Sequence, residues 1–453
     1  MRKKVLLIQP PVQDFYTTAI RLYPLGLLYA ARVFQMLGYR AEVLDCLNPL
    51  RQKEIPLPEK FSYLKPYLGQ PYFFKRYQHF GLTVEKIIER VGEVAPDLIA
   101  ISSSFAAYFS SVAELVRAID KKYHIPIIIG GNQASWTPLE IKQRLPEIRE
   151  AISGQAELSL PAFFKNESGL GVKSDFLPEN GLDWKTIWPA HHLLKTGAYR
   201  IGKKNYISLQ ASRGCPHNCS FCNIHLLFGR QIDYRPVSSV LEEMHWNYLN
   251  RQVRLFNFED DNLSYDRNWF AEFLSSVAKD PVLQGSELTF MNGLSYENLD
   301  EELLELMKSA GVKKLNLSWV SGDPALRRQY HRPQKKEEPE FLTLLKQAKK
   351  MGFFVTVYLI LGLPGQTEEE IKEITEKLLD LEVLVGPSVF YLTPGSELQR
   401  SLNLSAEVIN DWDKYRSTAF AIETEELTRD NLIKLFLYIR RRNLERRTWT
   451  LKT

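Results

Sequence analysis

The stretch Arg213-Gly-Cys-Pro-His-Asn-Cys-Ser-Phe-Cys222 contains three of the four cysteines in this chain of 453 residues. Cys215, Cys219 and Cys222 stand at positions i, i+4 and i+7. At that spacing one loop can wrap around a small iron–sulfur cubane, with each thiolate on a separate iron. Because no fourth cysteine stands in this stretch, one iron would keep an open coordination position. The cysteines therefore predict a [4Fe-4S] cluster with an open iron.

Two other interpretations of these cysteines stay open. A zinc ion could recruit His217 or His225 as a fourth ligand, although zinc ribbons usually pair two Cys-x-x-Cys motifs. The thiols could also be a chance cluster on one face of a buried helix. Against that, Gly214, Pro216 and Asn218 in the same stretch favour a loop.

The overall composition is that of an ordinary globular protein. Lys plus Arg total 58 against 54 for Asp plus Glu, which leaves a net charge of +4. That balance gives no argument for a nucleic-acid partner, and four cysteines are too few for a disulfide framework. The apolar runs at the N-terminus and at 353–363 are too short for a signal peptide and a membrane span respectively. We expect a cytoplasmic protein with no transmembrane segment and no nucleic-acid partner.

Apolar runs alternate with amphipathic helical patterns throughout residues 201–395. The six expected strands are 206–210, 253–258, 287–292, 313–319, 354–361 and 383–392. Such a repeat predicts a partial (β/α)6 TIM-like barrel, whose chemistry lies at the carboxyl ends of the strands. Residues 396–453 are expected to form a helical C-terminal segment.

Residues 1–160 show a similar alternation and form a second expected domain. Its expected strands are 5–8, 41–45, 96–102 and 125–130, with helices at 24–37 and 110–123. This pattern predicts a doubly wound, Rossmann-like α/β domain with a parallel sheet, which binds ligands at its carboxyl edge. The tract 50–80 has no clean period and is expected to be an insertion or an irregular connection. Residues 161–200 are expected to be the linker to the barrel.

The Cys-x-x-x-Cys-x-aromatic-Cys motif after the first expected barrel strand resembles the radical S-adenosylmethionine (SAM) superfamily. This resemblance implies an enzyme in which the amino and carboxylate groups of SAM chelate the open iron. One electron from the cluster then cleaves SAM to a 5′-deoxyadenosyl radical. An electron donor such as a flavodoxin or a ferredoxin is implied with it.

Turns after later strands resemble the SAM-contacting turns of the same superfamily. They imply contacts to SAM from Glu259, Asp260, Asp261, Asn292, Gly293, Gly362, Pro364 and Gly365. Each acidic residue could instead cap the next helix, and the turn at 361–367 could be only a tight turn with a helix cap at Thr367. One departure is Val320, which stands where the fourth strand of the subgroup usually ends in Glu.

The N-terminal half resembles the cobalamin-binding class of radical SAM enzymes. The likeness rests on Gln9-Pro-Pro11, on the Tyr-Pro-Leu-Gly-Leu-Leu-Tyr segment at 23–29, on Gly38-Tyr39 and on Gly130-Gly131. It implies a corrinoid on the carboxyl edge of the sheet, turned toward the cluster. The implied contact residues are Ser102, Ser103, Ser104, Gly130, Gly131 and Asn132.

Two departures from that class leave the cofactor open. The domain has no Asp-x-His-x-x-Gly motif, so it offers no histidine as a lower ligand of cobalt. The later Gly-x-Gly-Glu turn has become Ser153-Gly-Gln-Ala-Glu157. The domain could therefore bind cobalamin or be a vestigial scaffold.

The resemblance implies a reaction at an unactivated carbon of a small-molecule or lipid substrate. The first expectation is cobalamin-dependent C-methylation, and the second is a radical dehydration, cyclisation or rearrangement without cobalamin. A methylthiotransferase acting on RNA or protein is remote, because those relatives carry three further cysteines before the barrel, where this chain has only Cys46. A non-enzymatic iron or zinc sensor would not need turns suited to SAM.

Some remaining residues have plain structural explanations. Cys46 is expected to be a buried small side chain, and His191 and His192 are expected to be loop residues rather than metal ligands. The arginines at 440–447 are expected at a solvated helix end. Tyr391 and Trp412 could line the barrel mouth or pack in a core.

Overall fold

The computed structural model describes residues 2–16, 22–48, 51–166, 181–332 and 335–450, with side chains through residue 446. Through residue 166 its elements are β1 (Lys4–Gln9), β2 (Val12–Asp14), α1 (Leu25–Met36), β3 (Arg40–Asp45), β4 (Gln52–Glu54), β5 (Gln78–Phe80), α2 (Val84–Val94), β6 (Leu98–Ser102), α3 (Phe109–Tyr123), β7 (Ile127–Gly130), α4 (Asn132–Trp136), α5 (Pro138–Arg144), β8 (Glu150–Ala151) and α6 (Ala156–Asn166).

A five-stranded parallel sheet in the order β3-β1-β6-β7-β8 forms the centre of the N-terminal region. Helices cover both of its faces, so central strands such as β1 are apolar along nearly their whole length. The expected doubly wound sheet is confirmed. β8 was not expected, because a strand of two residues is too short to leave a pattern in the sequence.

The tract 51–80 is folded rather than irregular. β4 and β5 form an antiparallel three-stranded sheet with β2. Its aromatic side chains are buried against the C-terminal segment, where Phe73 lies 5.6 Å from Phe420 between ring centroids. The aromatic partners of this tract in the C-terminal segment are more than 300 residues away in sequence, so no local period marks these contacts.

From residue 200 onward the elements build the barrel and the C-terminal segment. They are β9 (Arg200–Ile201), β10 (Lys204–Leu209), β11 (Ser212–Arg213), α7 (His225–Phe228), β12 (Asp233–Tyr234), α8 (Val237–Arg251), β13 (Val253–Phe258), α9 (Arg267–Lys279), β14 (Glu287–Thr289), α10 (Glu301–Ser309), β15 (Lys314–Trp319), α11 (Pro324–Gln329), α12 (Glu338–Lys350), β16 (Phe354–Leu361), α13 (Glu368–Asp380), β17 (Leu384–Val389), α14 (Glu397–Ser401), α15 (Ala406–Asn410) and α16 (Arg429–Thr450).

Six parallel strands form the partial barrel in two groups of three. β10, β13 and β14 pair in parallel, and so do β15, β16 and β17. Two parallel bridges, Leu288 to Val312 and Leu294 to Leu317, join the groups. The expected partial (β/α)6 barrel is confirmed, with each strand within a few residues of its expected position.

Acidic and hydroxyl side chains at the strand-to-helix turns start the barrel helices. Asp266, Asp300 and Asp323 accept from backbone N–H groups at the starts of α9, α10 and α11, and Thr367 does the same for α13. Such caps satisfy N–H groups that a helix leaves without partners. The carboxyl ends of the strands are therefore held by local contacts.

The described residues 181–200, between the two α/β parts, are packed against both of them. Trp184, Ile187 and Tyr199 are buried against neighbouring elements. The C-terminal segment is helical in α14, α15 and the long α16, which packs on α13 and β17. Within the described ranges, none of the helices combines the length and the apolar character needed to cross a bilayer.

Candidate active site

The three cysteines lie in the loop between β11 and α7, beyond the carboxyl end of the first barrel strand. β11 and β12 pair as antiparallel strands, and the cysteine loop and α7 lie between them in sequence. Gly214 has φ +95°, and a Cβ there would lie 2.2 Å from the carbonyl oxygen of Gln231. Only glycine fits such a position, so this residue fixes the path of the chain into the first cysteine.

The far part of the same loop is bound to two other barrel turns. The N–H of Ser220 donates to the carbonyl of Tyr330 at 3.1 Å. The hydroxyl of Thr393 donates to the carbonyl of Phe221, and the Asn223 amide donates to the carbonyl of Pro394, both at 2.7 Å. The cysteine positions are therefore set by the folded barrel.

Cys219 is buried, while Cys215 and Cys222 are half-buried. Burial raises the pKa of the Cys215 thiol and raises the pKa of the Cys222 thiol to about 11. Such thiols need a metal to become thiolates at neutral pH. The loop thus offers three sulfur ligands in a dry environment.

The donor set fits a multi-iron cluster better than one zinc ion. Among the residues that the structure describes, no three Cys, His, Asp or Glu side chains converge closely enough to hold a single ion. A cubane instead takes each thiolate on a separate iron. His217 packs against Tyr265, with 5.9 Å between ring centroids, and burial lowers its pKa. Burial likewise lowers the pKa of His225, at the start of α7.

Several buried polar atoms around the loop lack a hydrogen-bond partner within the described part of the chain. They are His217 Nε2, Ser220 Oγ, Asn262 Oδ1, Tyr296 Oη and Glu297 Oε1. A buried polar atom without a partner is costly, and such atoms are rare in folded proteins. The surroundings of the cysteines therefore fit a further polar group at this position.

Asp260 serves the cluster loop rather than the next helix. Its carboxylate accepts from the backbone N–H of Ala211 at 3.0 Å, from the backbone N–H of Ser212, and from the Ser212 hydroxyl at 2.7 Å. Burial raises its pKa to about 7. The cap of α9 is Asp266 instead. Asp260 thus fixes the connection from β10 to the cysteines.

Glu259, Asp261 and Asn292 line one cavity. Glu259 accepts from the Ser208 hydroxyl at 3.0 Å and from the Asn257 amide at 2.5 Å, and burial raises its pKa. Burial, and then the neighbouring Asp260, raise the pKa of Asp261 to about 7. The structure brings these three predicted residues together.

The turn at 361–367 lies elsewhere. A Cβ on Gly362 would lie 2.9 Å from Leu432 of α16, and a Cβ on Gly365 would lie 2.9 Å from Leu326 of α11. The carbonyl of Pro364 accepts from the Tyr330 hydroxyl at 2.5 Å. These three residues pack against helices and do not line the cavity of Glu259.

Gly293, the remaining predicted SAM contact, follows Asn292 in a tight turn with φ +91°. Its N–H donates to the carbonyl of Phe290 at 3.1 Å. The turn is continued by Leu294, whose N–H donates to the carbonyl of Asn316 at 2.9 Å. The glycine thus lets the chain turn so that the Asn292 side chain reaches the cavity.

The cavity has a volume of about 430 Å³ and lies between the carboxyl edge of the N-terminal sheet and the mouth of the barrel. The sheet side contributes Ser102, Ser104, Gly130, Gly131 and Asn132, and the barrel side contributes Gln210, Arg213, Phe228, Glu259, Asp261 and Asn292. Three of the eight predicted SAM contacts and five of the six predicted corrinoid contacts therefore line one cavity.

The sheet side of this cavity is open above its backbone. A Cβ built on Gly26, Gly130 or Gly154 would meet nothing within 4 Å, whereas one on Gly131 would lie 2.7 Å from the carbonyl oxygen of Ser103. The Tyr29 hydroxyl is buried at this wall without a hydrogen-bond partner among the described residues. Open glycines and a spare hydroxyl suit a large ligand that lies against the backbone.

Ser103 differs from its neighbours Ser102 and Ser104. It is buried, and its hydroxyl donates to Gln133 at 2.6 Å instead of facing the cavity. The hydroxyls of Ser102 and Ser104 lie 3.1 Å apart. Alternation along the strand explains the difference, because successive side chains point to opposite faces.

Sequence reasoning missed Arg213 as a site residue. It forms an ion pair with Glu157 at 3.0 Å, donates to the side-chain oxygen of Gln155 at 2.5 Å, and lies 4.4 Å from the ring centroid of Trp184. Glu157 and Gln155 belong to the altered turn that closes the N-terminal domain. The arginine before Gly214 and Cys215 is therefore bound directly to the sheet domain.

Sequence reasoning also missed Asn262 and Arg332. The Asn262 amide lies 3.7 Å from Cys215 Sγ, and the Arg332 guanidinium lies 3.8 Å from Cys219 Sγ. Asn262 stands at the end of the acidic turn, a position that could have drawn attention. Arg332 is 113 residues from Cys219, and no local pattern indicates the contact.

The other candidates have structural roles. Cys46 is buried, and Trp412 packs on Phe109 with 4.8 Å between ring centroids. His191 is buried and bonds Glu243 at 2.9 Å, whereas His192 is exposed. Tyr391 is partly exposed after β17.

In the basic tail, Arg442 and Arg446 form ion pairs with Glu376 and Asp380 of α13, each at 2.5 Å.

Comparison with known proteins agrees with this arrangement. The model of the radical SAM superfamily matches residues 209–378, and the model of the B12 binding domain matches residues 62–164. The chain is 24% identical to cytidylyl-2-hydroxyethylphosphonate methyltransferase of Streptomyces wedmorensis, over 92% of this chain and 84% of that one. It is 22% identical to an uncharacterized methyltransferase of Pyrococcus horikoshii, over 78% and 80%.

A solved structure shares the fold. The radical SAM methyltransferase TsrM from Kitasatospora setae, solved with cobalamin and a [4Fe-4S] cluster bound, superposes with a TM-score of 0.61. The two chains are 15% identical, and the match covers 88% of this chain and 74% of TsrM.

The sheet, the barrel and the three-cysteine loop define a radical SAM protein. The chain belongs to the radical SAM superfamily, and within it to the cobalamin-binding class, in which a B12-binding domain precedes the radical SAM domain. It is an enzyme of that class, and the expected set of a [4Fe-4S] cluster, SAM and a cobalamin-binding domain is confirmed.

Proposed function

We propose that this chain is a cobalamin-dependent methyltransferase that methylates an unactivated carbon of a small-molecule or lipid substrate. The observation that carries the proposal is the cavity that the sheet domain and the barrel line together. It brings the glycine- and serine-lined edge of the sheet opposite Glu259 and Asp261, beside the cluster loop. Two relatives that match most of the chain are methyltransferases, which supports the same reaction.

The cluster cysteines and the residues that line the cavity can be assigned to separate cofactors. Cys215, Cys219 and Cys222 would hold the cluster. Glu259, Asp261 and Asn292 would bind polar groups of SAM, and Ser102, Ser104, Gly130, Gly131 and Asn132 would contact the corrinoid. When bound, the cluster and SAM supply a 5′-deoxyadenosyl radical, and a methylated cobalamin supplies the methyl group.

The chain's own groups position and screen this chemistry. Asp260 holds the start of the cluster loop through three hydrogen bonds, so the cysteines keep one geometry. Burial raises the pKa of Asp261 to about 7, and a cationic group bound beside it would favour its ionised form. Phe228 and Tyr29 wall the cavity with aromatic surface and reduce the access of water to it.

One observation favours a second candidate. Among the described residues that line the cavity, none is a histidine, so no imidazole is offered to a cobalt ion. A radical dehydration, cyclisation or rearrangement with SAM alone would need none. The cobalt content of the purified protein separates the two candidates.

The proposed function is tested by anaerobic purification with cobalamin supplied during expression. Iron, sulfide and cobalt are then measured, and the reduced protein is incubated with SAM. We expect one cobalt per cluster, together with 5′-deoxyadenosine and S-adenosylhomocysteine. Persistent absence of cobalt beside a full cluster would favour the second candidate. Absence of 5′-deoxyadenosine, even with candidate substrates, would reject radical chemistry.

The electron that the reaction needs would come from a flavodoxin or a ferredoxin. We propose the reducing cytoplasm as the place of action, because the three thiols must stay available for iron. The boundaries at residues 160, 200 and 395 remain a proposal for the limits of the sheet domain, the linker and the barrel.

A further inference from the structure

Two side chains, buried Asn262 and half-buried Arg332, reach the sulfurs of the cluster cysteines from outside the loop. The Asn262 amide lies 3.7 Å from Cys215 Sγ, and the Arg332 guanidinium lies 3.8 Å from Cys219 Sγ. Both distances are within the range of an N–H to sulfur hydrogen bond. Neither residue belongs to the cysteine motif or to the residues proposed to bind SAM.

The positive charge of Arg332 is largely shielded from solvent. Its side chain is 14% exposed, and the nearest carboxylate is that of Glu297, which is 6% exposed. The two groups lie 3.7 Å apart, an ion-pair distance longer than a hydrogen bond. Glu297 Oε1 has no hydrogen-bond partner within the described ranges, so the pair is only loosely matched. The positive charge is therefore free to act on the nearby sulfur.

Such groups change how easily a cluster accepts an electron. Reduction adds one negative charge to the cluster and its thiolates. Hydrogen bonds to the sulfurs and a nearby positive charge stabilise that extra charge, and both raise the reduction potential. A nearby carboxylate acts in the opposite sense, because it repels the added electron. In a buried position these effects are weakly screened by salt.

We propose that Arg332 and Asn262 are positioning residues that raise the reduction potential of the [4Fe-4S] cluster, and that Glu297 limits the increase. Arg332 contributes by charge and by hydrogen bonding, and Asn262 contributes by hydrogen bonding alone. The three residues thereby set the potential at which the electron donor can reduce the cluster. This inference rests on the cluster and not on methyl transfer, so the two can fail separately.

The test is a redox titration of the reconstituted cluster without SAM, followed by electron paramagnetic resonance of the reduced form. Arg332→Gln removes the charge and should reduce the ratio of reduced to oxidised cluster about tenfold at a fixed potential, because the added electron loses a nearby positive charge and a hydrogen bond that stabilise it. A tenfold change is about 59 mV for a one-electron couple. Arg332→Lys keeps the charge, so its reduction potential should lie between those of the natural chain and of Arg332→Gln.

Glu297→Gln removes the opposing charge and should shift the potential upward, opposite to Arg332→Gln. Asn262→Leu should shift it downward by less than Arg332→Gln. Arg254→Gln is the matched control: this arginine stacks on Tyr248 at the amino end of β13, away from the cysteines, and its loss should leave the potential unchanged.

Opposite signs separate the proposal from a merely structural role, because general loosening of the loop would move both variants in one direction. Shifts of the same sign for Arg332→Gln and Glu297→Gln would overturn the proposal. Equal potentials in all variants would do so too. If Arg332→Gln fails to hold iron, the potential of Glu297→Gln still tests the proposal. This variant removes the carboxylate beside Arg332 and leaves the contacts of Arg332 and Asn262 to the cysteines in place.

Discussion

The two sides of the central cavity are built from different chemistry. The barrel side presents Arg213, Glu259 and Asp261, which carry or can carry charge. The sheet side presents hydroxyls, an amide and bare backbone. Among its described lining residues only Glu157 is an acidic or basic residue, and Arg213 pairs with it. A charged ligand such as SAM suits the barrel side, and a large ligand bound by shape suits the sheet side.

Because the two sides differ in chemistry, a substitution on one side should remove the cofactor bound there and leave the other cofactor bound. Damage on the barrel side should remove the cluster or SAM and spare the corrinoid. Damage on the sheet side should do the reverse. Arg213 is the exception, since it connects the sides.

The largest effect is expected from Cys219→Ser, because Cys219 is the buried member of the ligand set. The variant should lose the cluster and form no 5′-deoxyadenosine above the background without protein. Iron analysis and chromatography of the products check this. Cys46→Ser is the matched control on the sheet side and should keep full iron. A Cys219→Ser protein with a full and active cluster would contradict the assignment.

Arg213→Met should be the most destabilising change at the junction. It leaves the buried Glu157 without a partner, and breaking a buried pair in this way costs about 3–5 kcal/mol. Denaturant titration of the iron-free protein measures the loss. The double variant Arg213→Met with Glu157→Gln should recover a large part of it. Additive losses in the double variant would show that the two residues do not act as a pair.

Asp45 gives the sheet side a pH dependence of stability. Burial raises its pKa from 3.8 to about 6, although Tyr199 donates to it at 2.6 Å. Because the folded pKa lies above the unfolded value, its contribution to stability is full below about pH 4 and is lost as the pH rises through 6. Asp45→Asn cannot ionise and should be more stable than the natural chain above pH 6, by up to about 3 kcal/mol. Equal stabilities at pH 5 and 7 in both proteins would contradict this.

Gly130→Leu should weaken cobalamin binding about 100-fold while iron content and SAM affinity stay unchanged, since a side chain placed there enters open cavity space that the corrinoid would fill. Cobalt and iron analysis of the same sample provides the internal control. Equal loss of both metals would mean that the sheet side is not a separate site.

Asp261→Asn should weaken SAM binding about tenfold, because a hydrogen bond to a charged group contributes about 1.5–3 kcal/mol. In the natural chain SAM should bind more tightly as the pH rises from 6 to 8, since the pKa of Asp261 lies near 7 and a cationic ligand prefers the ionised form. Equilibrium dialysis with labelled SAM measures both. A pH dependence that persists in Asp261→Asn would assign it to another group.

Local patterns in the sequence predicted the central strands and the cluster ligands. β13 was predicted at its full length because its apolar run is continuous, and the cysteines were found because one loop contains all three. Contacts between distant segments were not predictable. Arg332 reaches Cys219 across 113 residues, and the tract 51–80 is folded by partners in the C-terminal segment.

The turn at 361–367 was predictable in its local geometry but not in its packing. Its glycines predicted a tight turn with a cap at Thr367, and the structure has both. Which surface the turn faces depends on Leu432 of α16 and on Leu326 of α11. A glycine-rich motif reports local geometry, whereas its ligand contacts depend on what packs behind it.

We propose that one cavity holds the corrinoid and SAM on opposite walls beside the cluster. Electron paramagnetic resonance of the anaerobic holoenzyme, with the cobalt as cob(II)alamin and the cluster first oxidised and then reduced, tests it most directly. We predict that reduction of the cluster broadens the cobalt signal through spin–spin interaction. An unchanged cobalt signal, with both centres at full occupancy, would contradict the account.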